Sequence, residues 1–164
     1  MRSTFPMLAV PFVSLVLVAS AGAQGVLMER NVSTMMAKTI AETALEQCQK
    51  DGYRVTVAVV DRAGQLRVLL RGDGTSPHTI EMARRKAFTA RTFRQTTIDF
   101  AKRTETGPGA ALRNVTDVIA AGGGVPIKVG EDVIGAIGVS GAPGGDKDEA
   151  CAKAGIDKVA ADLK

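Results

Sequence analysis

The sequence predicts an α+β domain: an antiparallel sheet of about five strands, with N- and C-terminal helices and a central helix pair packed around it. Three observations predict it. Two strand-like runs, Arg54 to Val60 and Gln65 to Leu70, lie either side of Asp61-Arg62-Ala63-Gly64, a turn of hairpin length. Amphipathic stretches with helical period stand at both ends and in the middle of the chain. The order helix, two strands, two helices, two or three strands, helix lacks the regular strand-helix alternation that builds a parallel sheet.

The first helix is expected from Ser33 to Lys50, where Met36, Ala37, Ile40, Ala41, Ala44, Leu45 and Cys48 recur at three and four, and Asp51-Gly52 ends it. Arg54 to Val60 is almost wholly apolar, as a central strand should be, and Gln65 to Leu70 returns beside it. A polar loop from Arg71 to Pro77 leads into the second helix, with Ser76 as the expected cap and Pro77 at the first helical position. Ile80, Ala83, Ala87, Phe88 and Ala90 form its apolar side, to about Thr92. A short helix is expected from Thr96 to Arg103, and a further helical turn around Ala110 to Val115. Val118 to Ala121 and Val125 to Val129 read as short strands, followed by Val133 to Ser140 with glycine at 135 and 138. Asp146 is expected to open the last helix, with Glu149 at the capping-box spacing.

Length and composition bound the class. At 164 residues, 45% apolar and 23% charged, the chain is one domain of ordinary globular make-up, which excludes disorder and coiled coil as its main state. Five Phe, one Tyr and no Trp leave too few rings for a surface that stacks on bases, so a nucleic-acid partner is not expected despite the net charge of +4. Met1-Arg2, the apolar run Met7 to Val18 and the small residues Ala21-Gly22-Ala23 read as a secretory signal cleaved after Ala23. The run is too short to span a bilayer, so the domain, residues 24–164, is expected in the periplasm or outside the cell with no stable membrane insertion. In an oxidising compartment Cys48 and Cys151 form either one disulfide, closing a loop of about 100 residues, or two buried thiols.

No complete catalytic constellation stands in the sequence, which argues against an enzyme. Gly138-Val139-Ser140-Gly141 falls one residue short of a nucleophile elbow, and a serine triad needs a base that the single histidine, His78, in another loop, does not supply. Arg84, Arg85, Lys86 and Arg91 make the central helix strongly basic. This is either a solvated or paired face, or a surface that recognises carboxylates through Arg. His78, at the start of that helix, is either polar surface or a metal ligand. Asp148 and Glu149 are either helix-start charges or a weak iron or calcium pair.

Five blocks carry a family resemblance: Val59-Val60-Asp61-Arg62-Ala63-Gly64; Arg71-Gly72-Asp73-Gly74; Ala83 with Lys86-Ala87-Phe88-Thr89-Ala90; Gly123-Gly124-Val125-Pro126-Ile127; and Val133 to Gly141 with Asp148-Glu149. Together they resemble the GlcG/HbpS family, over about Met35 to Leu163, and the last block is the most specific. The resemblance implies an antiparallel α+β domain that forms homo-oligomers and binds haem or a related tetrapyrrole, with roles in handling or sensing haem and iron. Some members carry a histidine in the first helix, which this chain lacks, so His78 offers a substitute ligand. Arg84, Lys86 and Arg91 are then candidates for the propionates, and Thr104 and Thr106 are contacts by position. The alternative is an exported oligomeric accessory enzyme or binder of a small organic acid, with the loops Arg71 to Pro77 and Gly141 to Asp146 lining its pocket.

Overall fold

The computed structural model describes residues 25–164. The expected signal and its cleavage site lie outside them. Helix α1 is Thr34–Lys50, strand β1 Thr56–Asp61, strand β2 Leu66–Arg71, helix α2 Thr79–Phe93, helix α3 Thr97–Arg103, strand β3 Gly124–Val129, strand β4 Asp132–Ser140 and helix α4 Gly145–Lys158. A 3-10 segment, Gly107–Asn114, stands where one more helical turn was expected. The sheet is antiparallel throughout, in the order β2-β1-β4-β3.

It has four strands rather than about five, because Val118 to Ala121 does not join it. That segment lies along α2 instead: Arg85 Nη2 donates to Val118 O at 2.6 Å, and Ile119 N donates to Thr89 Oγ1 at 2.9 Å. Val118 N donates to Val115 O at 3.1 Å, so three of its backbone groups have partners outside any strand ladder.

Side-chain alternation splits the sheet into two unlike faces. Val57, Val59, Ile137 and Val139 point to α1 and α4, joining Ala37, Ile40, Ala44, Cys48, Cys151 and Ala152 in the main core. Cys48 and Cys151 are bonded as a disulfide between these two helices, 103 residues apart in sequence, so of the two readings left open the bridge is the one realised. On the opposite face Val60 and Ala136 meet Ala87 and Ala90 of α2.

Helix α2 lies very close to the sheet. A Cβ on Gly138 would strike the carbonyl oxygen of Ala83 and the amide of Ala87, and one on Gly124 would strike the carbonyl of Lys86. Gly138 pairs with both Ala58 and Gly124 across the sheet, so the helix crosses a row without bulk. That close approach is why the final strand tolerates glycine, which by propensity alone would weaken it.

Two helix starts differ from expectation. Thr79 donates its N–H and its hydroxyl to Ser76 O, at 3.1 and 2.7 Å, so Ser76 to Thr79 is a turn and α2 begins after His78 rather than at Pro77. Ser76 provides no side-chain cap. The capping box at α4 does not form either: Gly144 is the cap, and Glu149 pairs with Lys153 at 2.7 Å. Ile80, expected on the buried side of α2, is 39% exposed.

Candidate functional site

The close seat of α2 decides where its charges go. Residues 84, 85 and 86 are successive and point about 100° apart, so they cannot share a face. Lys86 falls in the row Ala83, Lys86, Ala87, Ala90 that faces the sheet, and only 3% of it is exposed. Its ammonium donates to Asp148 Oδ2 at 2.7 Å and to Val139 O at 2.9 Å. The other oxygen of Asp148 accepts from Ala142 N at 3.0 Å. A buried ion pair therefore ties α2 to β4 and to the first turn of α4. Burial pushes the Asp148 carboxyl above the ordinary carboxylate range, with Lys86 and the Ala142 N–H pulling the other way.

This pair lies at the floor of a cavity of about 410 Å³. The loop before α2 contributes Gly74, Ser76 and His78, and the loop before α4 contributes Gly141, Ala142, Gly144 and Gly145. Arg54, Met82, Ala121, Gly122 and Ser140 complete most of the remaining wall. The two loops expected to border one pocket do so: Arg54 ends one side of the hairpin, β1 and β4 run antiparallel beside it, and both loops leave the sheet at that end. Met82 N donates to His78 O at 3.0 Å, so the imidazole and the thioether stand one helical turn apart on the same wall.

The other expected site residues are dispersed. Arg84 pairs with Glu81 at 2.7 Å and Asp117 at 2.6 Å, outside the cavity. These contacts hold both carboxyls below their usual range, the hydrogen bond from Arg84 being the larger cause in each. Arg91 is half-buried beside Asp61, Asp132, Arg62 and Arg94. Burial and those two guanidinium groups lower its pKa, and its Nε has no partner among the described residues. Thr104 is buried, donating to Phe100 O at 2.7 Å and accepting from Arg113 Nε at 3.0 Å, whereas Thr106 is exposed. Asp148 and Glu149 are engaged by different lysines, and among the described residues no group of three or more His, Cys, Asp or Glu side chains gathers as a metal site.

Of the expected residues, then, the structure brings together His78, Lys86 and Asp148. Arg54, Met82 and Ser140 belong to the same wall: Ser140 entered the sequence reading only as the serine of an incomplete nucleophile elbow, Met82 only as a soft ligand or core filler, and Arg54 was not singled out. Arg54 had one available signal, a charge at the very start of an apolar strand, where it must sit at the sheet's end.

The architecture is thus a four-stranded antiparallel sheet with helices on both faces and a polar cavity bordered by two glycine-rich loops at one end of it. The chain belongs to the HbpS-like family: the family model described as haem degrading protein HbpS-like matches residues 32–157. Protein GlcG of Escherichia coli K12 is 34% identical over 109 residues, which is 66% of this chain and 81% of that protein. A crystallised double mutant of Streptomyces reticuli HbpS superimposes with a TM-score of 0.79 at 36% identity, covering 89% of this chain and 98% of that one. Protein ORFY of Klebsiella pneumoniae gives 0.76 at 27% identity, over 83% and 95%. Among the described residues no helix is long and apolar enough to cross a membrane.

Proposed function

We propose that this chain is an exported haem-binding protein, with His78 as iron ligand at the mouth of the cavity. The observation that carries the reading is that the single histidine of a chain in a haem-degrading family borders its polar cavity, beside Met82. The residues present fit the group. Imidazole and thioether are both iron donors. The exposed Arg54 guanidinium is suited to a propionate, and the cavity volume lies in the range of roughly 300–1,000 Å³ usual for small-molecule sites. Bound haem would supply an iron centre open to a further ligand. The chain's own part is to hold the edge of the macrocycle and orient it, with Lys86 and Asp148 fixing the wall behind.

The disulfide supports an oxidising compartment, periplasmic or extracellular. Self-association completes the proposal, and gel filtration of residues 24–164 tests it. Titration with hemin tests the central claim. A Soret shift saturating at one equivalent is expected, with an altered spectrum in His78→Ala. No shift at stoichiometric hemin refutes haem binding, and an identical spectrum in the variant removes His78 from the iron.

A further inference from the structure

The cavity carries more donors than the folded chain uses. Lys86 has three N–H groups, two of them engaged by Asp148 and Val139. Ser140 is 4% exposed and lines the cavity, yet its hydroxyl has no hydrogen-bond partner among the described residues. Its oxygen is not among the enclosed atoms left without a partner, which among the described residues are Arg85 Nε, Arg91 Nε and Glu149 Oε2, so it opens on the cavity. Gly145, on the same wall, is the first residue of α4. The first backbone bonds of that helix are Lys147 N and Asp148 N to Gly144 O, so the Gly145 N–H is free at the positive end of the helix dipole. At the rim, Arg54 makes no ion pair or hydrogen bond through its side chain among the described residues and lies against Gly74.

The acceptor side is poor by comparison. Asp148 is the one carboxylate on the wall, and both its oxygens are already engaged. Of the acidic residues near the α4 start only Asp148 lines the cavity, and the Asp146 carboxylate lies beside Gly144, over the start of that helix. Glu149 turns to Lys153, and Asp146 is exposed and outside the lining.

The geometry points to a carboxylate-binding site: the cavity takes the carboxylate group of a small organic acid, held by Arg54 at the rim and by Ser140, the third Lys86 N–H and the Gly145 N–H at the floor. Planar carboxylate and guanidinium match as a two-point pair, and the floor donors meet the acid away from bulk water, where a charged hydrogen bond is strong. Phosphate is less suited, because a second negative charge would stand beside the Asp148 carboxylate. The site stands independently of haem. The same donors serve a free acid or the propionate edge of a tetrapyrrole, and the two sources are separable by experiment.

Haem-free protein is titrated calorimetrically with acetate and succinate, and with acetamide and succinamide as uncharged controls. The acids are expected to bind and the amides not to. Arg54→Gln and Ser140→Ala are each expected to weaken the acids about tenfold or more while leaving the melting temperature of the ligand-free protein unchanged, since neither side chain has a partner to lose. Absence of binding heat for both acids up to about 10 mM overturns the assignment, as does equal binding of the amides or wild-type affinity in both variants. Hemin titration with and without saturating succinate then assigns the source: displacement places a propionate in the site, and undisturbed hemin binding leaves it to free acids. Hemin binding without any acid binding, and with no effect of Arg54→Gln, defeats this inference while leaving the haem reading intact.

Discussion

Replacing Gly138 by alanine tests the tight seat of α2 directly. The added methyl group would meet Ala83 O and Ala87 N, both backbone atoms of α2, so no flexible side chain can move aside. Relief requires lifting the helix, which also carries Lys86 and its contact with Val139 O. Overpacking of this kind costs about 1–3 kcal/mol, and a backbone clash belongs at the upper end. Alanine recovers roughly 0.4–1 kcal/mol by restricting the unfolded chain, leaving a net loss of about 2 kcal/mol. For a domain of this size that is a fall of about 6–10 °C in melting temperature. Gly130→Ala is the internal control, because its Cβ would meet nothing within 4 Å and its φ of +59° exposes only the left-handed backbone cost, about 1 kcal/mol before the same entropic return. Urea unfolding followed by far-UV circular dichroism should give a lower midpoint for Gly138→Ala with an unchanged m-value. If Gly138→Ala is as stable as Gly130→Ala, the helix does not rest on the sheet as described and the explanation of the glycine-rich strand fails.

Two further outcomes follow from the buried bonds. Reducing the disulfide, or making Cys48→Ser with Cys151→Ser, should cost on the order of 4 kcal/mol because the loop it closes is long, and a midpoint in urea insensitive to dithiothreitol would contradict this. Lys86→Met leaves the Asp148 carboxylate buried without its cation, at a cost of about 3–5 kcal/mol at pH 8. Asp148 already has a raised pKa in the folded state, so its contribution to stability is full below the ordinary carboxyl range and is lost as pH rises through the raised value. Removing Lys86 raises that pKa further, so the deficit of Lys86→Met should shrink as pH falls from 8 to 5. A deficit that does not change over that interval would refute the assignment.

The elements that follow hydrophobic period were legible in the sequence: α1, the hairpin, β4 and the apolar side of α4. The failures share a physical cause, which is that polar groups found partners far away in sequence. Lys86 stands in an otherwise apolar row at helical spacing, and nothing local says that Asp148, 62 residues on, neutralises it. Val118 to Ala121 has strand composition, but its backbone is claimed by Arg85 and Thr89. Ser76 is a cap by residue type, but the turn from Ser76 to Thr79 moves the helix start past His78, and Glu149 has the capping-box spacing but pairs with Lys153. The site was legible in its two loops but not in its donors, since the free Ser140 hydroxyl and Gly145 N–H depend on which partners the fold leaves unengaged rather than on side-chain type.

The bond between Cys48 and Cys151 also decides what happens when the chain is cut. It joins the helix near the beginning of the described residues to the one near their end, so a protease acting in any loop between them, around Gly107 or in the Gly141 to Gly144 turn, yields two pieces that still travel as one molecule. A nicked chain would keep its mass until reduced, and only then fall into fragments, so the lifetime of this protein against proteases is to be read on reducing gels.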